Sequence, residues 1–153
     1  MMADAPGTLL MEWSSNGNLV PLVIFALQNA LKVKEDKEHG PQSHTAESIT
    51  LAALRVLSAV IQKADSKLVA VHLQSIIPPL LRLSDHSIES NPIVRGRCIE
   101  TLIHMTNLPY QTLFPYKKQV SKSLVAALED PKRVVRRRAV TCRNEWLTLS
   151  ANS

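Results

Sequence analysis

The residues of this 153-residue chain best suited to chemistry are cations gathered near its C-terminus. Residues 114–153 carry nine Lys and Arg against three Asp and Glu, a net charge of +6, whereas residues 1–113 carry nine against ten, a net of −1. Lys117, Lys118 and Lys122 form one group; Lys132, Arg133, Arg136, Arg137, Arg138 and Arg143 form the next. Ammonium and guanidinium groups at this density recognise anions through charge-assisted hydrogen bonds to carboxylate or phosphate oxygens. No other set of residues supports a reaction. The five histidines, at 39, 44, 72, 86 and 104, never adopt the His-Glu-x-x-His spacing that places two metal ligands on one helical face. Four scattered glycines do not form a phosphate loop, and two cysteines, Cys98 and Cys142, fall short of the four thiolates an iron–sulfur cluster usually takes. The expectation is a non-enzymatic protein with no catalytic residue, metal site or cofactor of its own.

The second basic group must lie on a helix. Val135, Ala139, Cys142 and Trp146 follow at steps of four, three and four, one stripe of a 3.6-residue helix, with Arg136 just beside it. Asp130 and Pro131 read as its N-cap and first helical residue. Cations in the first turns oppose the helix macrodipole by roughly 0.3–1 kcal/mol each at exposed sites, and Glu129 and Asp130 offset this only in part. A solvated face accounts for the same charges without a partner. Local helix stability, however, does not favour the arrangement, so an acidic partner is expected.

The same template recurs upstream. A shift of 41 places Val94, Arg95, Cys98, Thr101 and Met105 on Val135, Arg136, Ala139, Cys142 and Trp146, with Asn91-Pro92 as cap and first residue. The preceding apolar segments, Ile76 to Leu83 ending in Asp85 and Leu124 to Leu128 ending in Asp130, align with a shift of 45, so the earlier repeat carries a longer loop at 85–91. Residues 19–34 and 46–63 add a third helix pair, with Leu22, Phe25 and Leu31, then Ile49, Leu54, Leu57 and Ile61, as its apolar positions and a mobile polar loop between. Paired helices at a period of about 40–47 residues are the signature of HEAT or armadillo arrays, and about three repeats are the minimum for stability. The expected fold is all-α, an α-solenoid of about three HEAT-type antiparallel helix pairs at roughly 18–63, 66–107 and 113–150.

Composition agrees. Gly is scarce at four, Leu and Ala are abundant, and the length suits one domain. Residues 1–17 are expected to fray, residues 18–150 to form the repeat domain, and 151–153 to be a tail. The apolar run from Leu19 to Leu31 is interrupted by Pro21, Gln28 and Asn29 and is too short to span a bilayer. The N-terminus lacks a positive region followed by an apolar stretch, so a cytosolic or nuclear setting is expected, one in which free buried cysteines stay reduced. An uncapped first repeat leads us to expect a fragment of a longer solenoid.

Leu108-Pro109-Tyr110, Pro115-Tyr116-Lys117-Lys118, the run from Ala127 to Arg136, and Arg143-Asn144-Glu145-Trp146 resemble the closing segment of the MMS-nineteen family. Upstream the likeness rests on helical layout and on Asn91 to Arg95. That family is the large HEAT-repeat subunit of the cytosolic iron–sulfur protein assembly targeting complex. The resemblance implies a scaffold or adaptor, present in cytoplasm and nucleus, that docks assembly factors and delivers clusters to apo-proteins, DNA replication and repair enzymes among them. It further implies that the C-terminal repeats receive a small assembly factor with an acidic motif and a β-propeller protein. By HEAT analogy, Asp130 with Arg136 and Asp85 with Arg95 would be ladder pairs, which leaves Lys117, Lys118, Lys132, Arg133, Arg137, Arg138 and Arg143 as partner-binding candidates.

Two other readings stay open. A segment of charge +6 attracts phosphates, so nucleic-acid binding is the alternative, weak and non-specific because Tyr110, Phe114 and Tyr116 precede the basic helix and do not interleave with it. A generic scaffold of transport or phosphatase type is the other, since fold alone does not fix function.

Overall fold

The computed structural model describes residues 19–35, 41–63 and 66–151. The expected frayed segment 1–17, the centre of the first polar loop at 36–40 and the last two residues of the tail lie outside the described residues.

The fold is all-α, and no strand occurs among the described residues. The elements are α1 (Leu19–Glu35), α2 (Pro41–Lys63), α3 (Ser66–Ala70), α4 (Leu73–Leu83) and α5 (Pro92–His104), then α6 (Tyr110–Leu113), α7 (Lys117–Ser123), α8 (Val125–Leu128) and α9 (Arg133–Leu147), with 3-10 turns at Met105–Asn107 and Phe114–Tyr116. Within each repeat α1 packs on α2, α4 on α5, and α7 with α8 on α9. Between repeats α1 meets α4 and α4 meets α7 in one layer, while α2 meets α5 and α5 meets α9 in the other. Two layers advancing in step are an α-solenoid, with the helix pairs where the 40-residue period places them. The first helix of the third pair is divided, because Pro115 has no N–H to continue the ladder and a 3-10 turn takes its place.

Local sequence explains the second helices. On α5, the Asn91 side chain accepts from the Ile93 N–H and Pro92 occupies the first turn, as the cap-plus-proline reading expects. Its stripe, Val94, Cys98, Thr101 and Met105, is buried, as is Val135, Ala139, Cys142 and Trp146 on α9. The Trp146 indole N–H also donates to the Leu102 carbonyl of α5 at 2.9 Å, tying the third repeat to the second.

Two local expectations are corrected. Helix α9 begins at Arg133 with Lys132 in the N-cap position and no side-chain cap; Asp130 instead accepts from the Lys132 N–H at 2.8 Å. The shift of 41 already carries Asn91 onto Lys132, so the cap slot of the third repeat holds a lysine. On α1 the buried face is Leu19, Val20, Val23, Leu27, Ala30 and Leu31, whereas Leu22 and Phe25 are exposed, as is Ile49 on α2. The segment is apolar on several faces, and the helices packed against it, α2 and α4, select which one is covered. Residues His44–Lys63 of α2 are long and apolar enough to cross a membrane by length and composition. In the fold, Leu54, Leu57, Val60 and Ile61 of that stretch are core residues of the solenoid.

Candidate functional site

The second and third repeats are joined by a buried ion pair. Arg95 donates from Nε to Asp130 Oδ2 at 2.7 Å and from Nη2 to Oδ1 at 2.9 Å, a bidentate fork with both side chains almost fully excluded from solvent. Its Nη1 donates to the carbonyls of Glu89 and Ser90, each at 2.9 Å. Burial pushes the Asp130 carboxyl up, but hydrogen bonds from Arg95 and the Lys132 N–H, with the charges of Arg95 and His86, outweigh it and hold the group below its ordinary value.

The expected ladder is thereby corrected. Arg95 does not pair with Asp85, which instead accepts from the backbone and hydroxyl of Ser87 in a local turn. Arg136 does not pair with the Asp130 carboxylate; its Nη1 donates to the carbonyls of Asp130 at 2.7 Å and Pro131 at 3.1 Å. The reason is a single register. With the shift of 41, Glu89, Ser90, Asn91 and Arg95 fall on Asp130, Pro131, Lys132 and Arg136, and each arginine grips the two carbonyls five and six residues before it. The acid of each repeat is held by a cation of the repeat before. Asp130 is held by Arg95, and buried Glu89 by Lys34 Nζ of α1 at 2.9 Å. The Lys34–Glu89 rung was missed in the sequence, although the same shift of 41, extended two residues upstream of the cap, marks Glu89 as the counterpart of Asp130.

The seven candidate cations separate by environment. Lys117 Nζ donates to the Leu149 carbonyl at 3.0 Å and Arg143 Nε to the Ser121 carbonyl at 3.0 Å, fastening α7 to the far end of the third repeat. Arg138 crosses to α5, where Nη1 lies 3.5 Å from Glu100 Oε2. It passes over Gly96, where an added Cβ would stand 2.8 Å from that same nitrogen. Lys118, Lys132, Arg133 and Arg137 are exposed, and their side chains meet no acid or acceptor among the described residues. Lys132 and Arg133 open α9, in the turn where the dipole opposes them, and Arg137 follows one turn on.

No group of His, Cys, Asp and Glu among the described residues could hold a metal ion. Cys98 and Cys142 are both buried. Burial, with a smaller contribution from Glu145, pushes the Cys142 thiol up to about 12; burial, then Glu89, raises Cys98 further. At neutral pH both are thiols, not the thiolates that bind metal. The repeat register supplies a mild test: Cys98→Ala and Cys142→Thr take the residues found at corresponding positions, a shape exchange near neutral for folding. The double variant, purified without oxygen, is expected to match wild type in melting temperature, and both proteins to lack the visible absorbance of a cluster. Cluster absorbance in wild type that the variant loses would contradict it.

Stacked helix pairs, each repeat holding a buried acid of the next through a cation of its own, define a HEAT-type α-solenoid with a basic edge. No family model matches the chain. The MMS19 nucleotide excision repair protein homolog of Dictyostelium discoideum is 35% identical over 99 residues, 64% of this chain and 9% of that protein. The MMS19 nucleotide excision repair protein of Drosophila melanogaster is 40% identical over 82 residues, 54% of this chain and 9% of that protein. The Xenopus laevis homolog is 31% identical over 150 residues, 90% of this chain and 14% of that protein. The chain belongs to the MMS19 family. It spans about a tenth of the length of the curated relatives it matches.

Proposed function

We propose that this chain is a non-enzymatic adaptor segment of the cytosolic iron–sulfur assembly machinery, docking assembly factors so that clusters reach apo-proteins, including enzymes of DNA replication and repair. Cytoplasm and nucleus are the setting this role requires. The observation that carries the reading is the set of exposed cations, Lys118, Lys132, Arg133 and Arg137, held on a stacked solenoid that belongs to the MMS19 family and left without acids of their own. A rigid scaffold with charged, unsatisfied edges is suited to positioning acidic proteins, and such surfaces set association rate and partner choice.

The test is the simultaneous change Lys132→Glu, Arg133→Glu and Arg137→Glu. All three side chains are exposed, so helicity is expected to stay at the wild-type level. Co-purification of assembly factors is expected to disappear, and wild-type binding to weaken with added salt, since exposed charges are screened over about 8–10 Å near physiological ionic strength. Undiminished co-purification by the triple variant would remove the basic edge from the account. Nucleic acid is expected to bind only in the non-specific range of about 10⁻⁴ to 10⁻⁶ M at physiological salt.

A further inference from the structure

Two grooves separate the second helices of successive repeats, one between α2 and α5 and the other between α5 and α9, and both are walled on each side by helices of this chain. The register of 41 extends to α2, where buried Ala53, Leu57 and Val60 fall on buried Val94, Cys98 and Thr101 of α5. The grooves therefore compare residue by residue. Between α5 and α9, Arg138 lies across Gly96 and sets Nη1 3.5 Å from Glu100 Oε2, so a cation and an acid close over the gap. Between α2 and α5 the residue in the place of Arg138 is Arg97, but Gly96 gives way to Arg55 and Glu100 to Ala59. The receiving acid is gone, and a second arginine stands where glycine made room.

This groove stays open. It holds a cavity of about 350 Å³, lined among others by Arg55, Lys63 and Arg97, within the roughly 300–1,000 Å³ of small-molecule sites. Arg97 turns back along its own helix, where Nη1 lies 3.6 Å from Glu100 Oε2. That oxygen is shared with Arg138 and accepts no hydrogen bond among the described residues, so Arg97 is held loosely. The side chains of Arg55 and Lys63 meet no acid or acceptor among the described residues. Three cations thus face one carboxylate in this groove, which leaves an excess of two positive charges. Leu51 and Ile93 add an apolar strip, with Ile93 59% exposed.

We propose that the groove between α2 and α5 binds a small molecule bearing a phosphate monoester. Its charge of nearly −2 at neutral pH matches the excess, its oxygens accept from the guanidinium forks of Arg55 and Arg97 and from the Lys63 ammonium, and its body rests on Leu51 and Ile93. The site stands apart from the adaptor reading, which uses exposed cations of the third repeat.

The experiment is titration of the full, nitrogen-15-labelled chain with phenyl phosphate, followed by the backbone amide signals, in wild type, R55A and A59E. Saturable shifts are expected along α2 and α5 at the groove, with inorganic phosphate weaker at the same place and phenol without effect. R55A removes one fork from an exposed position and is expected to weaken binding by about tenfold or more. A59E restores the acid that Glu100 supplies to the other groove, giving Arg97 a partner within the chain, and is expected to weaken binding to a similar extent. R55A decides the matter alone if A59E alters the packing of α2. Wild-type affinity in R55A, or shifts spread over Lys132, Arg133 and Arg137 with none at the groove, would overturn the proposal. Succinate binding as tightly as phenyl phosphate would overturn the phosphate assignment, and equal displacement by a dinucleotide carrying only a phosphodiester would overturn it in favour of a nucleic-acid backbone.

Discussion

Trp146→Ala is expected to destabilise the chain by about 3–5 kcal/mol, the usual cost of truncating a fully buried tryptophan. The side chain is completely excluded from solvent, completes the α9 stripe and donates its indole N–H to the Leu102 carbonyl of α5. Its loss opens a cavity between the second and third repeats and leaves that carbonyl unpaired. Against a total stability of about 5–15 kcal/mol for a domain, this is a large fraction. At roughly 2–4 °C per kcal/mol for a chain of this size, the melting temperature is expected to fall by roughly 6–20 °C. Trp146→Phe keeps most of the apolar volume and loses the hydrogen bond, so it is expected to cost about 1–3 kcal/mol beyond the smaller change in packing. Calorimetry distinguishes the two; an unchanged melting temperature in Trp146→Ala would contradict the packing described.

Asp130→Ala is expected to cost a similar amount, about 3–5 kcal/mol, because it strands the buried Arg95 guanidinium without its counter-charge. Adding Arg95→Met is expected to cost less than the sum of the two single changes, since the charge that suffers is then gone. The pair also fixes an acid dependence. Asp130 titrates below its ordinary value of 3.8 in the folded chain, so it contributes stability that is fully present above that value. The contribution shrinks as pH falls below 3.8 and is lost through the depressed folded value. Denaturant unfolding of wild type and Asp130→Asn is therefore expected to differ most at neutral pH and to converge in strong acid. A difference independent of pH would show that the carboxylate charge is not what joins the repeats.

How far the sequence revealed this arrangement depended on the range of each interaction. The stripes 94/98/101/105 and 135/139/142/146 were legible because helical periodicity is local and the core follows it. The ladder was not. Asp85 and Asp130 each close an apolar run, and aligning them by that likeness, a shift of 45, paired each with an arginine of its own repeat. The fold follows the shift of 41, in which the matching acid is Glu89, and passes each rung across a repeat boundary that periodicity does not encode. The face of α1 was hidden for another reason: apolar residues surround that helix, and only the neighbouring helices determine that Leu27 is covered and Phe25 bare. Of the basic residues, the sequence identified the cluster but not its division. Lys117, Arg138 and Arg143 reach partners beyond their own helices, while Lys118, Lys132, Arg133 and Arg137 do not.

The adaptor role is tested most directly by capture from nuclease-treated cytosolic extract with the wild-type chain, the bound proteins being identified and quantified by mass spectrometry. The account predicts that iron–sulfur assembly subunits are enriched, that nuclease treatment leaves the enrichment unchanged, and that raised salt reduces it. An eluate without those subunits, from a chain that instead binds nucleic acid at nanomolar affinity with sequence preference, would contradict it.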